Sequence, residues 1–97
     1  MSDGRLSDVQ ITNLTMLLTI RDGVLRDRPA ACCQFALDAP QADRVGALTV
    51  QQIMALVANV GDITLFPPRR DLLALLDLPL PLARPLATVQ APRHLAP

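Results

Sequence analysis

Few side chains in this sequence are of the kinds that hold a proton, a metal or a substrate. The only histidine, His94, sits among prolines, and the two cysteines, Cys32 and Cys33, are adjacent. Neighbours along a helix point in different directions, so these thiols are not expected to bridge each other. No CxxC or His–Cys spacing suits zinc. The simplest role for the pair is small apolar packing. Every acid is an aspartate, and the aspartates fall mainly at helix starts, turns and termini, where capping accounts for most of them. Acid–base chemistry needs a His or a carboxylate pair gathered in a pocket, and a phosphate cradle needs a Gly-rich loop. Neither pattern occurs. The sequence therefore predicts no catalytic residues, no metal, no cofactor and no enzyme.

The arginines are the remaining candidates. Arg26 and Arg28 flank Asp27, and Arg69-Arg70 lies near an expected helix start, where positive charge opposes the helix dipole and Asp71 partly offsets it. Each group reads either as solvated surface charge or as a contact to an acidic partner or to DNA phosphate. The whole-chain balance limits the second reading: formal net charge is zero, with arginine the only base and no Lys or Glu. Affinity for DNA comes largely from neutralised phosphates and leaves a basic footprint. A role on DNA would need another subunit to supply most of the positive charge.

The elements that position these residues are marked by caps. Ser7-Asp8-Val9-Gln10 is a capping-box pattern opening a first helix. Ile11, Leu14, Leu17, Leu18, Val24 and Leu25 recur along it at helical spacing, widened by Met16 and Ile20. Gly23 costs about 1 kcal/mol relative to Ala inside a helix, and a close helix crossing would explain it. Asp27 with Pro29 caps a second helix to about Leu37, and Asp38 with Pro40 a third to about Ala47. Thr49-Val50-Gln51-Gln52 opens a fourth through Asn59, which Gly61 stops. Residues 62–66 read as extended, Arg69 to Leu76 as a short fifth helix. After Leu78 the prolines at 79, 81, 85, 92 and 97 predict an extended or disordered tail. The expectation is an all-α protein of about five short helices: a disordered 1–6, a helical domain 7–78 and a flexible tail 79–97.

Hydrophobic residues make up 51% of the 97 residues and charged ones 19%. So short a chain buries a limited share of its surface, and the surplus needs a partner chain. A membrane is the weaker option. A spanning helix needs about 20 apolar residues, whereas the most apolar run, Leu14 to Ile20, ends at Arg21-Asp22; nor does the N-terminus read as a signal peptide. A cytoplasmic protein is expected. The stripe on the first helix serves either as core within one chain or as a seam between two. Asn13 at its margin is either an exposed helix residue or a buried hydrogen-bonding group that fixes dimer register. A helix–turn–helix from about Ala42 to Asn59 is a further possibility, but its second helix offers only Gln51, Gln52 and Asn59 to base edges.

Three features occur together: Asn13-Leu14-Thr15 followed by Leu17-Leu18; Asp27 opening a short helix; and Ala47-Leu48-Thr49-Val50-Gln51-Gln52 leading to Leu56-Val57-Ala58. In this order, ungapped from about Val9 to Phe66, they resemble the flagellar transcriptional regulator FlhD family, which has an Asn-Leu-Ser/Thr-x-Leu-Leu start and an Ala/Gln-Leu-Thr-Leu-x-Gln segment. The resemblance implies an all-helical, intertwined homodimer that joins FlhC, a zinc-bearing subunit making much of the DNA contact, to activate flagellar promoters. It strengthens the seam reading of the first helix, a dimer interface at Ile11, Asn13, Leu14, Leu17, Leu18, Ile20, Val24 and Leu25, while partner or DNA contacts at Arg26, Asp27, Arg28, Arg69 and Arg70 rest only on the charge reading above. It implies no membrane and no small-molecule substrate. The chain departs from the family pattern at Thr64, where a cysteine can link the dimer covalently, at Cys33 and Gln34, where Phe and Arg are usual, and after Phe66, where prolines replace a longer helical end. The competing class is a diverged FlhD-like adaptor with no DNA binding of its own.

Overall fold

The computed structural model describes residues 5–89. The expectations for residues 1–4 and 90–97, His94 included, lie outside the described residues. Among the described residues the protein is all-helical, with six helices: α1 Asp8–Arg26, α2 Arg28–Gln34, α3 Ala39–Gly46, α4 Val50–Val60, α5 Leu72–Leu76 and α6 Leu80–Val89. None is long and apolar enough to cross a membrane.

The first four helices begin where short polar side chains can take up orphan amides. Ser7 Oγ accepts from the Gln10 amide at 3.1 Å and Gln10 Oε1 accepts from the Ser7 amide at 2.9 Å. Thr49 and Gln52 repeat the exchange at 3.1 and 2.8 Å. Asp38 and Gln41 form a third such box, both bonds at 2.9 Å, where the sequence suggested the cap alone. Asp27 closes α1 and opens α2, its carboxylate accepting from the Ala30 amide. α2 ends with Ala36 in the left-handed region, φ 54°, and the Leu37 amide donates back to the Cys32 carbonyl at 3.0 Å. That is a Schellman-type stop in which the usual glycine is an alanine.

The chain divides into two compact units, one ending at Phe66 and the next beginning at Pro67. The expected boundary after Leu78 is thus moved forward, and α5 belongs with α6. Pro67 and Pro68 remove two amide donors in succession and bias their neighbours away from helix.

In the first unit α1 is the hub: α2, α3 and α4 all pack on it, and α2 also touches α3. Ile20, Val24, Ala31 and Ala42 form one buried cluster, lined by Met16, Cys32, Phe35, Leu37 and Val45. Leu17, Ile53 and Val57 form a second, lined by Leu14, Leu18 and Leu48. Phe66 packs against both. The close crossing expected at Gly23 lies elsewhere. A Cβ at Gly23 would meet Ala31 Cβ and Phe35 Cε2 at ordinary distances, 3.5 and 3.6 Å, whereas one at Gly46 would come within 3.0 Å of Val24 Cγ1. Gly46, at the end of α3, is what lets that helix approach α1.

The second unit corrects the expectation for the start of the tail: residues 80–89 are helical, not extended. Pro81 falls in the first turn of α6, where an amide is not needed, and only Pro85 is interior. Its missing N–H removes one helical bond, to the Pro81 carbonyl, and the rest continue. α5 packs against α6, and Arg69 holds the pair. Its Nε and Nη2 donate to the two carboxylate oxygens of Asp71 at 2.9 and 2.8 Å, and its Nη1 donates to the Ala87 carbonyl at 3.0 Å.

Candidate interaction surface

The face of α1 that enters the core carries Asn13, Leu17, Ile20 and Val24, spaced four, three and four residues apart and all buried. This chain's own helices occupy half of the eight positions expected at a dimer seam. The other four, Ile11, Leu14, Leu18 and Leu25, form a second stripe. Ile11, Leu18 and Leu25 follow one another at seven-residue intervals with Leu14 between, the spacing of a coiled-coil seam. Ile11 is 48% exposed and Leu25 61%, while Leu14 and Leu18 are half-buried beside the α4 cluster. The sequence showed one broad apolar face; folding divides it into an inner face that is filled and an outer face that is not.

Asn13 is fully buried. Its Nδ2 donates to the Ile63 carbonyl at 3.1 Å and its Oδ1 accepts from the Leu65 amide at 2.9 Å. Both bonds run to the 63–65 segment of the same chain, so the exposed-residue alternative is excluded and the hydrogen bonds fix a loop. The β-rich character of residues 62–66 is realised as this bonded, non-helical segment. Arg21, absent from the sequence-based candidates, makes a comparable tie: Nε donates to the Leu48 carbonyl at 2.7 Å, holding the turn that precedes α4 against α1.

α4, packed on α1 by one side, is a second element with an uncovered apolar side. Ile53 and Val57 are its buried side, and no residue from Val50 to Val60 is charged. Yet Val50, Met54 and Leu56 are each 40% or more exposed. A helix with no charged face ordinarily has a second neighbour. The helix–turn–helix possibility is not realised as a packed pair: α3 and α4 both lie on α1 without contacting each other. The polar groups of α4 are also largely engaged. Gln52 completes the N-terminal box, and Asn59 Nδ2 donates to the Ala55 carbonyl at 2.8 Å, leaving Gln51.

The charged candidates are scattered. Arg28 pairs with Asp43 at 2.6 Å, both well exposed. Asp27 is used as a cap. Arg26 and Asp27 border an open depression of about 200 Å³ at the α1–α2 junction, lined also by Gly23, Ala30, Ala31 and Gln34. Arg69 is engaged by Asp71 and Ala87, and Arg70 is exposed. Cys32 packs at the edge of the core while Cys33 is exposed, and both are free thiols. Among the described residues no group of three His, Cys or Asp could hold a metal. No family model, curated protein or solved structure matches the chain. The surface that remains is apolar and helical.

Proposed function

We propose that the chain is a FlhD-like subunit of a bacterial transcriptional activator complex that acts with FlhC to raise flagellar gene expression. In this reading it is a cytoplasmic scaffold. Two copies associate through α1, the homodimer presents capped helices to FlhC, and promoter DNA is contacted mainly by that partner.

The observation that carries the reading is the outer stripe of α1, in which Ile11 and Leu25 are exposed and Leu14 and Leu18 half-buried, on a helix whose inner side is already packed. Apolar positions at heptad spacing on a long helix suit pairing with an equivalent helix. The zero net charge supports the division of labour with a basic partner.

One observation favours the second reading, an adaptor with no DNA binding of its own: two of the three polar side chains of α4, Gln52 and Asn59, are spent on a cap and on the helix's own backbone. Co-expression with an FlhC-like protein separates the two. Under the activator reading the pair co-purifies and retards a flagellar promoter fragment in a gel, and Ile11→Asp with Leu25→Asp reduces the mass of the chain alone. A chain that never forms a stable complex with FlhC sinks the activator reading and leaves the adaptor.

A further inference from the structure

We propose that residues 62–66 form a strap that opens as a unit while the helices it closes, α1 to α4, stay packed. The starting point is how few bonds hold the segment. Among the described residues, no main-chain hydrogen bond ties residues 62–66 to any other part of the chain. The ties to α1 are the two bonds of one side chain, from Asn13 Nδ2 to the Ile63 carbonyl and from the Leu65 amide to Asn13 Oδ1. A third bond, from the Phe66 amide to Thr64 Oγ1 at 3.1 Å, lies within the strap itself. Packing adds one anchor. Phe66 sits against both buried clusters, whereas Ile63 is 70% exposed and Leu65 also lies in the exposed class.

The ends of the segment suit a pivot. Gly61 stops α4 at φ 66° and ψ −125°, a backbone region that favours glycine. A Cβ there would meet nothing within 4 Å, so the glycine serves the turn of the chain and not a close contact. At the other end Pro67 and Pro68 offer no amide donors to tie the strap back. The contacts that join the helices do not depend on it. α2, α3 and α4 each pack on α1, and Arg21 Nε holds the Leu48 carbonyl at 2.7 Å. Opening therefore withdraws one ring and two side-chain bonds. Water replaces the bonds, and the freed residues regain backbone entropy, which offsets part of the loss. Because a single ring packs against both clusters, opening uncovers both together, along with the buried amide of Asn13.

Amide hydrogen exchange, read by NMR on the full chain across sub-denaturing urea, separates local from global opening. The Leu65 amide is expected to exchange at least about tenfold faster than the Ile20 and Val24 amides of α1. Urea should leave its rate nearly unchanged, because opening the strap exposes little surface, while the α1 amides accelerate. Phe35 and Phe66 are the only phenylalanines, so a chain labelled with fluorophenylalanine gives one fluorine line for each. In Asn13→Ala the Phe66 line is expected to move toward its position in the urea-unfolded chain while the Phe35 line keeps its folded position. A Leu65 amide with the urea slope of the α1 core, or with no protection at all, overturns the proposal. So does an Asn13→Ala variant, still helical by circular dichroism, in which both lines shift together or neither moves. The exchange measurement uses the unsubstituted chain, so it decides the matter even where that variant fails to fold.

Discussion

Replacing Asn13 with alanine tests whether a single buried amide holds the end of the first unit in place. Asn13 is 0% exposed and makes two bonds to main-chain groups, at 3.1 and 2.9 Å. Alanine deletes both and leaves a small void at a fully enclosed site. Each lost hydrogen bond is worth about 1 kcal/mol, with a further penalty of about 1–3 kcal/mol where an orphaned group stays dry. The Ile63 carbonyl and Leu65 amide lie in a segment whose side chains are exposed, so water recovers part of the loss, and the net cost is about 3 kcal/mol. In a domain of this size 1 kcal/mol moves Tm by roughly 4–8 °C, so Asn13→Ala should lower Tm by about 15 °C. Asn13→Asp is a sharper control. It keeps the acceptor for the Leu65 amide but sets a carboxylate against the Ile63 carbonyl, so it should be at least as damaging as alanine despite its near-identical shape. Both are measured by thermal and urea unfolding followed by circular dichroism, with light scattering on the same samples. An alanine variant within about 0.5 kcal/mol of the parent would show that the loop is not held this way, that margin being typical of an uninvolved surface site. A variant that unfolds normally but changes mass would return Asn13 to the role of a register device between chains.

Two glycines of α1 and α3 are expected to respond in opposite senses. Gly23→Ala should stabilise by about 0.5–1 kcal/mol, since its methyl meets only ordinary contacts and the helix gains propensity; Gly46→Ala should destabilise by about 1–3 kcal/mol, since its methyl crowds Val24. Urea midpoints compare the pair directly, and equal signs would refute the assignment of the close crossing to Gly46. Ala36→Gly should stabilise by about 1 kcal/mol, because glycine tolerates φ 54° without the cost an alanine Cβ bears there; a lower unfolding midpoint would contradict the Schellman-type stop at the end of α2.

The starts of the first four helices were legible because each is decided within four residues. Ser7 with Gln10, Asp27 with Pro29, Asp38 with Pro40 and Thr49 with Gln52 show both halves of a local bargain in the sequence itself. The division of the α1 stripe was not legible. Periodicity reports how wide an apolar face is, but which side the chain fills depends on where α2, α3 and α4 return. The partners of Asn13 lie 50 and 52 residues away, beyond any local pattern. The number of prolines hides helix α6, because their placement is what matters: Pro81 occupies a first turn, so only Pro85 costs a bond. Arg69 was read as a charge at a helix start, and its bridge to Ala87 depends on that same unforeseen helix. Of the eight positions expected at a seam, Ile11 and Leu25 are exposed, Leu14 and Leu18 are half-buried, and Asn13, Leu17, Ile20 and Val24 are buried within the chain.

Phe66 closes both hydrophobic clusters of the first unit, and the two bonds of Asn13 end just before it. The consequence is one of timing. During synthesis α1 leaves the ribosome first, yet neither cluster can be sealed until residue 66 has followed it out. Until then both clusters, built by α1 with α2, α3 and α4, lack the ring that packs against each of them. The step that finishes the core is therefore also the step that leaves Ile11 and Leu25 as the most exposed large apolar positions of α1.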